Sequence, residues 1–310
     1  KKVILSLAAV VLAAGIASAQ DMAQATDTYN SGAAALSNGE KAAAIEFFTK
    51  AIKEAEACGE EGAEIISNCK NVIPTIVLSI AKDLVKEASY TEAFAKIDEA
   101  VKVAGEYGSE EVATEAAELL PQVKKLYAKA LLDKKDYAAA AEAYKEVMTL
   151  DPEDGASALR LGMALASAGD NEAAIEAYKT AAGLGQEANA NKQLSSIYLK
   201  DAAAQLKAKA YAKAVEAANQ ANEYGENAQA YLVLGQASQQ LKNNNDAISA
   251  FEKYLELSPS AKNAAQIAFT VAALYQTAGN KDKAKEYYSK VVGDASLGAQ
   301  AKQQLDALNK

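Results

Sequence analysis

The chain has 310 residues, 50% of them hydrophobic, and a formal net charge of −9 at pH 7. Because acidic chains repel nucleic acid and anionic membrane surfaces, this charge argues against both as partners. The sequence has no histidine, which is the commonest metal ligand and the usual acid–base group near neutral pH. We therefore expect no metal, no cofactor and no catalytic residues, and we do not expect an enzyme.

Residues 1–19 have the pattern of a secretory signal peptide. Lys1 and Lys2 give a positive start, residues 3–16 carry no charge, and Ala17-Ser18-Ala19 offers small residues for cleavage. A spanning helix needs about 20 apolar residues, so we favour cleavage over an uncleaved anchor and expect no stable membrane insertion afterwards. No cysteine follows the cleavage site, so a lipoprotein is not expected. The mature chain, residues 20–310, is predicted to be periplasmic or secreted.

Cys58 and Cys69 are the only two cysteines. A metal site would need two further ligands, and a nucleophilic cysteine would need a base such as histidine. Because disulfides persist in exported proteins, we predict a Cys58–Cys69 disulfide, with two free thiols as the alternative. The bond requires residues 59–65 to be largely loop, since Cys69 otherwise lies too far along a helix.

A pattern typical of helix pairs recurs along the rest of the chain. In the second helix of each pair a small residue precedes a large one by four positions, as with Ala174 and Tyr178 or Ala247 and Phe251. Residues at this spacing share one helical face. An upstream helical segment carries another small residue, such as Gly162. We predict antiparallel helices in which the aromatic ring packs over that small residue.

This pattern resembles the tetratricopeptide repeat. The clearest matches are Leu161-Gly162, Leu165, Ala174 and Tyr178 in one unit, and Tyr231, Leu234-Gly235, Ala247, Phe251 and Pro259 in another. The resemblance implies an all-α solenoid of antiparallel helix pairs that form a right-handed superhelix. We assign seven pairs to about residues 25–57, 71–103, 121–153, 155–185, 191–222, 228–259 and 264–293, and a capping helix to residues 296–310.

The first two repeat intervals are longer than the others by roughly four helical turns. Extended helices or an inserted hairpin would each account for the additional residues. Pro74 and Pro121 occupy equivalent places in the second and third units. Because proline is well tolerated in the first turn of a helix, we predict that each proline opens the first helix of its unit.

The resemblance also implies a function, because the first helices of such pairs line a concave surface that commonly binds protein or peptide partners. The candidate residues on this surface are Lys82, Lys125, Lys129, Arg160, Leu232, Val233, Gln236 and Phe269. Lys125 and Arg160 fall where some family members grip the C-terminal carboxylate of a peptide. Lys129 stands where an asparagine would complete that clamp, so the match is partial. Basic residues solvated on a helix face are the simpler explanation.

We therefore predict an exported scaffold that binds a protein or peptide partner. Two other functions stay open at this point. The chain could self-associate as a structural component of an envelope assembly, or it could be an enzyme or a sugar-binding module that uses some of its 15 tyrosines. The sequence leaves the oligomeric state open.

Overall fold

The computed structural model describes residues 18–309, with side chains from residue 21 onward. Within that range the chain forms fifteen α-helices and no strand. The predicted all-α fold of repeated helix pairs is confirmed. None of the described helices combines the length and the apolar character that crossing a membrane requires. Residues 1–17, which hold most of the predicted signal peptide, lie outside the described residues.

The helices belong to two compact units, which divide between Pro152 and Glu153. The N-terminal unit contains α1 (Ser18–Ser37), α2 (Lys41–Glu56), α3 (Ala63–Lys86), α4 (Tyr90–Tyr107), α5 (Glu110–Asp133) and α6 (Tyr137–Leu150). The C-terminal unit contains α7 (Gly155–Ala168), α8 (Asn171–Ala181), α9 (Glu187–Lys207), α10 (Tyr211–Glu223), α11 (Ala228–Gln240), α12 (Asn244–Leu257), α13 (Ala264–Thr277), α14 (Lys281–Val291) and α15 (Gly298–Leu308). Each odd-numbered helix from α1 to α13 forms a pair with the even-numbered helix that follows it.

A small residue beneath an aromatic ring holds the two helices of a pair together. A Cβ atom added to Gly162 on α7 would lie 2.6 Å from Cδ1 of Tyr178 on α8. At the equivalent place, a Cβ atom on Gly235 of α11 would lie 2.5 Å from Cδ1 of Phe251 on α12. Both rings are 1% exposed. The sequence pattern of small and aromatic residues therefore corresponds to close packing between paired helices.

The turn inside each pair passes through a residue with positive φ. These residues are Gly39, Ala88, Lys135, Gly169, Lys209, Lys242 and Gly279. Glycine adopts this left-handed conformation without steric cost, whereas a residue with a side chain costs about 1–2 kcal/mol there. Four of the seven turns have a non-glycine residue at this position. The turn must be tight enough to bring the second helix back along the first.

The helices α3 and α5 each have 24 residues and contain Pro74 and Pro121 in their interiors. The prediction that each proline opens a helix is wrong, and the longer repeat intervals correspond to extended helices. The chain has already entered α3 well before Pro74, because Gly62 turns tightly against α2. A Cβ atom on Gly62 would lie 2.0 Å from the carbonyl oxygen of Ala55. Each interior proline gives up one backbone hydrogen bond.

The predicted Cys58–Cys69 disulfide is wrong, because both cysteines are free thiols. Cys58 follows α2, and its Sγ donates a hydrogen bond to the carbonyl oxygen of Glu54 at 3.4 Å. Cys69 is 0% exposed inside α3. Since α3 begins at Ala63, Cys69 lies about two turns into that helix. The loop that the bond requires is therefore replaced by helix.

The last helix, α15, covers the core of the final pair. Ala301 is 0% exposed, and Leu297, Leu305 and Leu308 pack against the buried cluster that includes Tyr288. Terminal helices of this kind close the apolar face that the last repeat would otherwise leave open. The predicted capping helix is thus present in the fold.

Candidate partner-binding groove

All three lysines predicted to bind a partner lie in the N-terminal unit, and two of them form ion pairs with residues outside their own helix. On α3, Lys82 forms an ion pair with Glu115 of α5, with Nζ and Oε1 2.7 Å apart. On α5, Lys125 forms an ion pair with Asp151, with Nζ and Oδ2 3.0 Å apart. A ligand carboxylate at either lysine would have to compete with these side chains.

The other two predicted cations are more exposed. Lys129 on α5 forms an ion pair at 2.7 Å with Asp133, one turn further along the same helix. Such exposed pairs contribute little to stability, typically about 0.2–1 kcal/mol. Arg160 is exposed on α7 in the C-terminal unit. These positions stay predictions of a binding role.

The four uncharged candidates in the C-terminal unit differ in exposure. Gln236 is exposed on α11, and Leu232 is half-buried beside it. The ring of Phe269 packs edge-on against Tyr288, with the ring centroids 5.1 Å apart. Val233 is only 9% exposed and belongs to the core between α10 and α11. Its assignment to the binding surface is therefore wrong, because one residue along a helix turns the side chain by about 100°.

A cavity of about 770 Å³ lies between α12 and α14, over the first turns of α13. Its floor consists of Ala264, Ala265 and Ala268, and its walls and rim are formed by Ser249, Glu252, Lys253, Leu255, Glu256, Pro259, Tyr287 and Lys290. We call this cavity the first compartment. The second helices of two consecutive pairs form its walls, and this differs from the first-helix surface that the sequence predicted.

A second compartment of about 490 Å³ lies one repeat earlier, between α10 and α12 over α11. It is lined by Val215, Asn219, Tyr231, Leu234, Ser238, Asp246, Ser249, Ala250 and Lys253. Ser249 and Lys253 line both compartments, so the two adjoin each other on either side of α12. We use the term groove for these two compartments together.

The size of the first compartment follows from a substitution within the repeat. Ala268 lies four residues before Ala272, just as Tyr231 lies four residues before Gly235, the small residue of the preceding pair. An alanine therefore stands in the first compartment where a tyrosine ring fills the second. Because the side chain of Ala268 on α13 is smaller than a tyrosine, space is left between α12 and α14.

A carboxylate on the wall of the first compartment is held by a tyrosine. The hydroxyl of Tyr275 donates a hydrogen bond of 2.8 Å to Oε1 of Glu252. Burial, together with the hydrogen bond to Glu252, raises the pKa of Tyr275 to about 12. Burial and a hydrogen bond with Glu252 also raise the pKa of Tyr287. Both hydroxyls are therefore protonated near neutral pH and can act as donors.

The lysines at the rim of the first compartment are neutralised by other carboxylates. Lys253 lies 3.2 Å from both Glu226 and Glu256. Lys290 lies 2.9 Å from Glu286 and 4.0 Å from the ring centroid of Tyr287. This rim therefore has no lysine available for an additional anion without the loss of an existing contact.

Sequence reasoning missed the groove residues Ala265, Ala268, Glu252 and Tyr287. The available signal was the alanine at a repeat position where the preceding unit has Tyr231. Among the described residues, no group of three or more cysteine, aspartate or glutamate side chains is arranged to hold a metal ion.

The paired helices with a small residue beneath an aromatic ring define an α-solenoid of short repeats. Models of the tetratricopeptide repeat match residues 29–58, 127–189, 228–260 and 265–293, which together make up half of the chain. The chain belongs to the tetratricopeptide repeat family. Members of this family are generally non-enzymatic scaffolds for protein–protein interaction.

Several solved structures are similar over part of the chain. A crystal structure of MamA is 23% identical and covers 58% of this chain and 94% of that one, with a TM-score of 0.35. YrrB, described as a TPR protein with an unusual peptide-binding site, is 18% identical and covers 58% and 91%, with a TM-score of 0.33. A thermophilic TPR protein from Thermus thermophilus is 18% identical and covers 61% and 98%, with a TM-score of 0.27. A search of curated proteins finds no match.

Proposed function

We propose that the chain is an exported, non-enzymatic scaffold that binds a protein or peptide partner in the groove formed by α10 to α14. The groove itself carries the proposal, because two compartments of about 770 and 490 Å³ share Ser249 and Lys253. A groove that crosses two consecutive repeats suits an elongated chain better than a compact small molecule. Family membership supports the same role.

The first-helix surface predicted from the sequence is a competing location for the partner. Gln236 is exposed on this surface of α11, and Ser249 is exposed in the groove on α12. The two helices belong to one pair, so the two residues provide matched positions for a test. Tryptophan at either position adds bulk to one surface without removing a buried side chain.

The experiment is affinity capture with the wild-type mature chain and with the Ser249→Trp and Gln236→Trp variants. Extracts come from cells that produce the protein, and captured proteins are quantified by mass spectrometry. Circular dichroism and thermal unfolding establish that each variant is folded. We expect a protein that is captured by the wild type and by Gln236→Trp and is lost with Ser249→Trp.

Two results would contradict this proposal in different ways. Loss with Gln236→Trp alone would move the binding site to the first-helix surface. Capture of the same background proteins by all three chains would argue against a partner-binding role.

Export is supported by the positive start, the uncharged stretch and the small residues within residues 1–19. We expect the protein in the periplasm or the culture medium to begin at Gln20, which mass spectrometry of the purified N-terminal peptide would detect. An N-terminal peptide that still contains residues 1–19, from protein found inside the cytoplasm, would contradict export.

Self-association is the alternative that the sequence left open. The exposed surface of α15 includes Gln300, Lys302, Gln303 and Asp306, and this polar surface does not favour apolar stacking of a second copy on that helix. Light scattering over a range of protein concentrations tests the point, and we expect a constant molecular mass.

A further inference from the structure

Glu252 differs from the other carboxylates around the first compartment. Glu256 forms an ion pair with Lys253, and Glu286 forms ion pairs with Lys283 and Lys290. Among the described residues, no lysine or arginine nitrogen lies within the 4.0 Å ion-pair distance of Glu252. Its described partners are neutral groups, the hydroxyls of Tyr275 and Tyr287.

The position of Glu252 would favour a cation beside it. The residue is half-buried on α12 and lines the cavity of about 770 Å³. A carboxylate that is partly removed from water is destabilised unless hydrogen bonds or an opposite charge compensate for the lost hydration. The hydroxyls of Tyr275 and Tyr287 compensate in part. Lys283, the lysine whose charge interacts with Glu252, is already bound to Glu286 at 2.9 Å.

The floor of the compartment offers a second kind of contact. Ala264, Ala265 and Ala268 form an apolar surface directly beside the carboxylate wall. Lysine and arginine side chains combine a flexible apolar stem with a charged end, and the stem can pack on apolar surface while the end reaches a polar group. An apolar floor beside a carboxylate that has no cation partner therefore matches the chemistry of these two side chains.

We propose that the first compartment binds a lysine or arginine side chain from an extended segment of the partner protein, with its charged group on Glu252 and its stem on the alanine floor. This inference rests on the proposed function, because it specifies what the groove recognises. The surrounding charges favour the same ligand. The carboxylates of Glu226, Glu252, Glu256 and Glu286 outnumber the ammonium groups of Lys253, Lys283 and Lys290 by four to three. A net negative charge attracts an oppositely charged segment over a distance.

An acidic segment fits this compartment poorly. Lys253 and Lys290 are the two lysines in its lining, and each already contacts neighbouring carboxylates or an aromatic ring. An incoming carboxylate would displace those contacts and would also approach Glu252. The arrangement therefore favours a cation over an anion.

The probe is a phage-displayed library of short random peptides, selected on the immobilised wild-type mature chain. Enriched peptides are synthesised with a fluorescent label, and their dissociation constants are measured by anisotropy. The variants are Glu252→Gln, which keeps the shape and an oxygen that can accept from Tyr275, and Ser249→Trp, which blocks both compartments. Glu256→Gln is the matched control, because its charge is exposed and already paired with Lys253.

We expect the enriched peptides to share lysine or arginine at a fixed position and to lose affinity with Ser249→Trp. Glu252→Gln should weaken binding about ten-fold, and Glu256→Gln less than about three-fold. Replacement of the basic peptide residue by alanine should weaken binding to the wild type more than it weakens binding to Glu252→Gln, because only the contact of its apolar stem is left to lose in that variant.

The other outcomes separate this inference from the proposed function. Some peptides could lose affinity with Ser249→Trp but share no basic residue, or could bind Glu252→Gln as tightly as the wild type. Either result would overturn the inference and leave the groove as a binding site. If no enriched peptide is affected by Ser249→Trp, the groove proposal itself is overturned.

Discussion

The hydroxyl of Tyr275 on α13 donates a 2.8 Å hydrogen bond to Oε1 of Glu252 on α12. These helices belong to consecutive pairs, so the contact joins one repeat to the next. It also fixes the direction of a carboxylate on the wall of the first compartment. One hydrogen bond thus contributes to the stack of repeats and to the candidate binding site.

Tyr275→Phe removes this hydrogen bond while it keeps the ring. We expect a loss of about 1 kcal/mol in the free energy of unfolding, because the bond is made to a charged group that is only half-buried. Urea denaturation provides the measurement. Tyr231→Phe is the control, since no hydrogen bond of the Tyr231 hydroxyl is found among the described residues, and its stability should change by less than about 0.5 kcal/mol. Equal effects of the two substitutions would contradict the role of the Tyr275–Glu252 contact.

Gly162→Ala tests the packing of small residues beneath aromatic rings. The new methyl group would lie 2.6 Å from the ring of Tyr178, and we expect a destabilisation of about 1–3 kcal/mol from overpacking. Gly105→Ala on α4 makes the same change where no atom lies within 4 Å of the added Cβ. That control should stabilise the protein by about 0.5–1 kcal/mol, because alanine favours helix over glycine. The stability of each variant is measured by thermal and urea unfolding. A change of the same sign in both variants would argue against this explanation.

Stability should depend on pH through Glu286. Hydrogen bonds from Lys283 and Lys290 lower the pKa of Glu286 from 4.5 to about 2 in the folded protein. A lowered pKa stabilises the folded state above the unfolded value, and this contribution is lost as the pH falls toward the folded value. We therefore expect the wild type to be more stable than Glu286→Gln near neutral pH and to lose that advantage between about pH 5 and pH 2. Since the side chain is 44% exposed, added salt should reduce the difference. Urea midpoints that differ by the same amount at every pH would contradict the assignment.

The two thiols should differ in reactivity. Cys69 is fully buried, and burial raises its pKa to about 12, whereas Cys58 is half-buried after α2. Burial raises the pKa of Cys58 as well, so labelling should be slow. We expect maleimide to modify one site in the folded protein, Cys58, and both sites in denaturant without reductant, as counted by mass spectrometry. No labelling in denaturant would indicate a disulfide and contradict the free thiols.

Repeat patterns made the fold predictable. The four-residue spacing of Ala174 and Tyr178 places both on one helical face, and the upstream Gly162 lies beneath that ring. Periodicity of this kind is local and recurs, so sequence alone reveals it. Helix starts were harder to predict, because Pro74 and Pro121 gave a start signal that the longer helices α3 and α5 override. The early start of α3 also carries Cys69 away from Cys58.

The groove was less accessible to sequence reasoning for a geometric reason. It depends on the space that Ala268 leaves between α12 and α14, and this space appears only when three helices are assembled. The burial of Val233 was likewise not predictable from the sequence. It adjoins the half-buried Leu232 in sequence, yet it faces the core, because the rotation of α11 is set by its contacts with α10.

The most direct test of the partner-binding groove is site-specific photo-crosslinking in cells that produce the protein. A photoreactive phenylalanine analogue replaces Ser249 in the groove or Gln236 on the first-helix surface, and cross-linked adducts are identified by mass spectrometry. We expect a defined protein adduct from position 249 that position 236 does not give, and Glu252→Gln should reduce its yield. An adduct from position 236 alone, or none from position 249, would contradict the groove as the partner-binding surface.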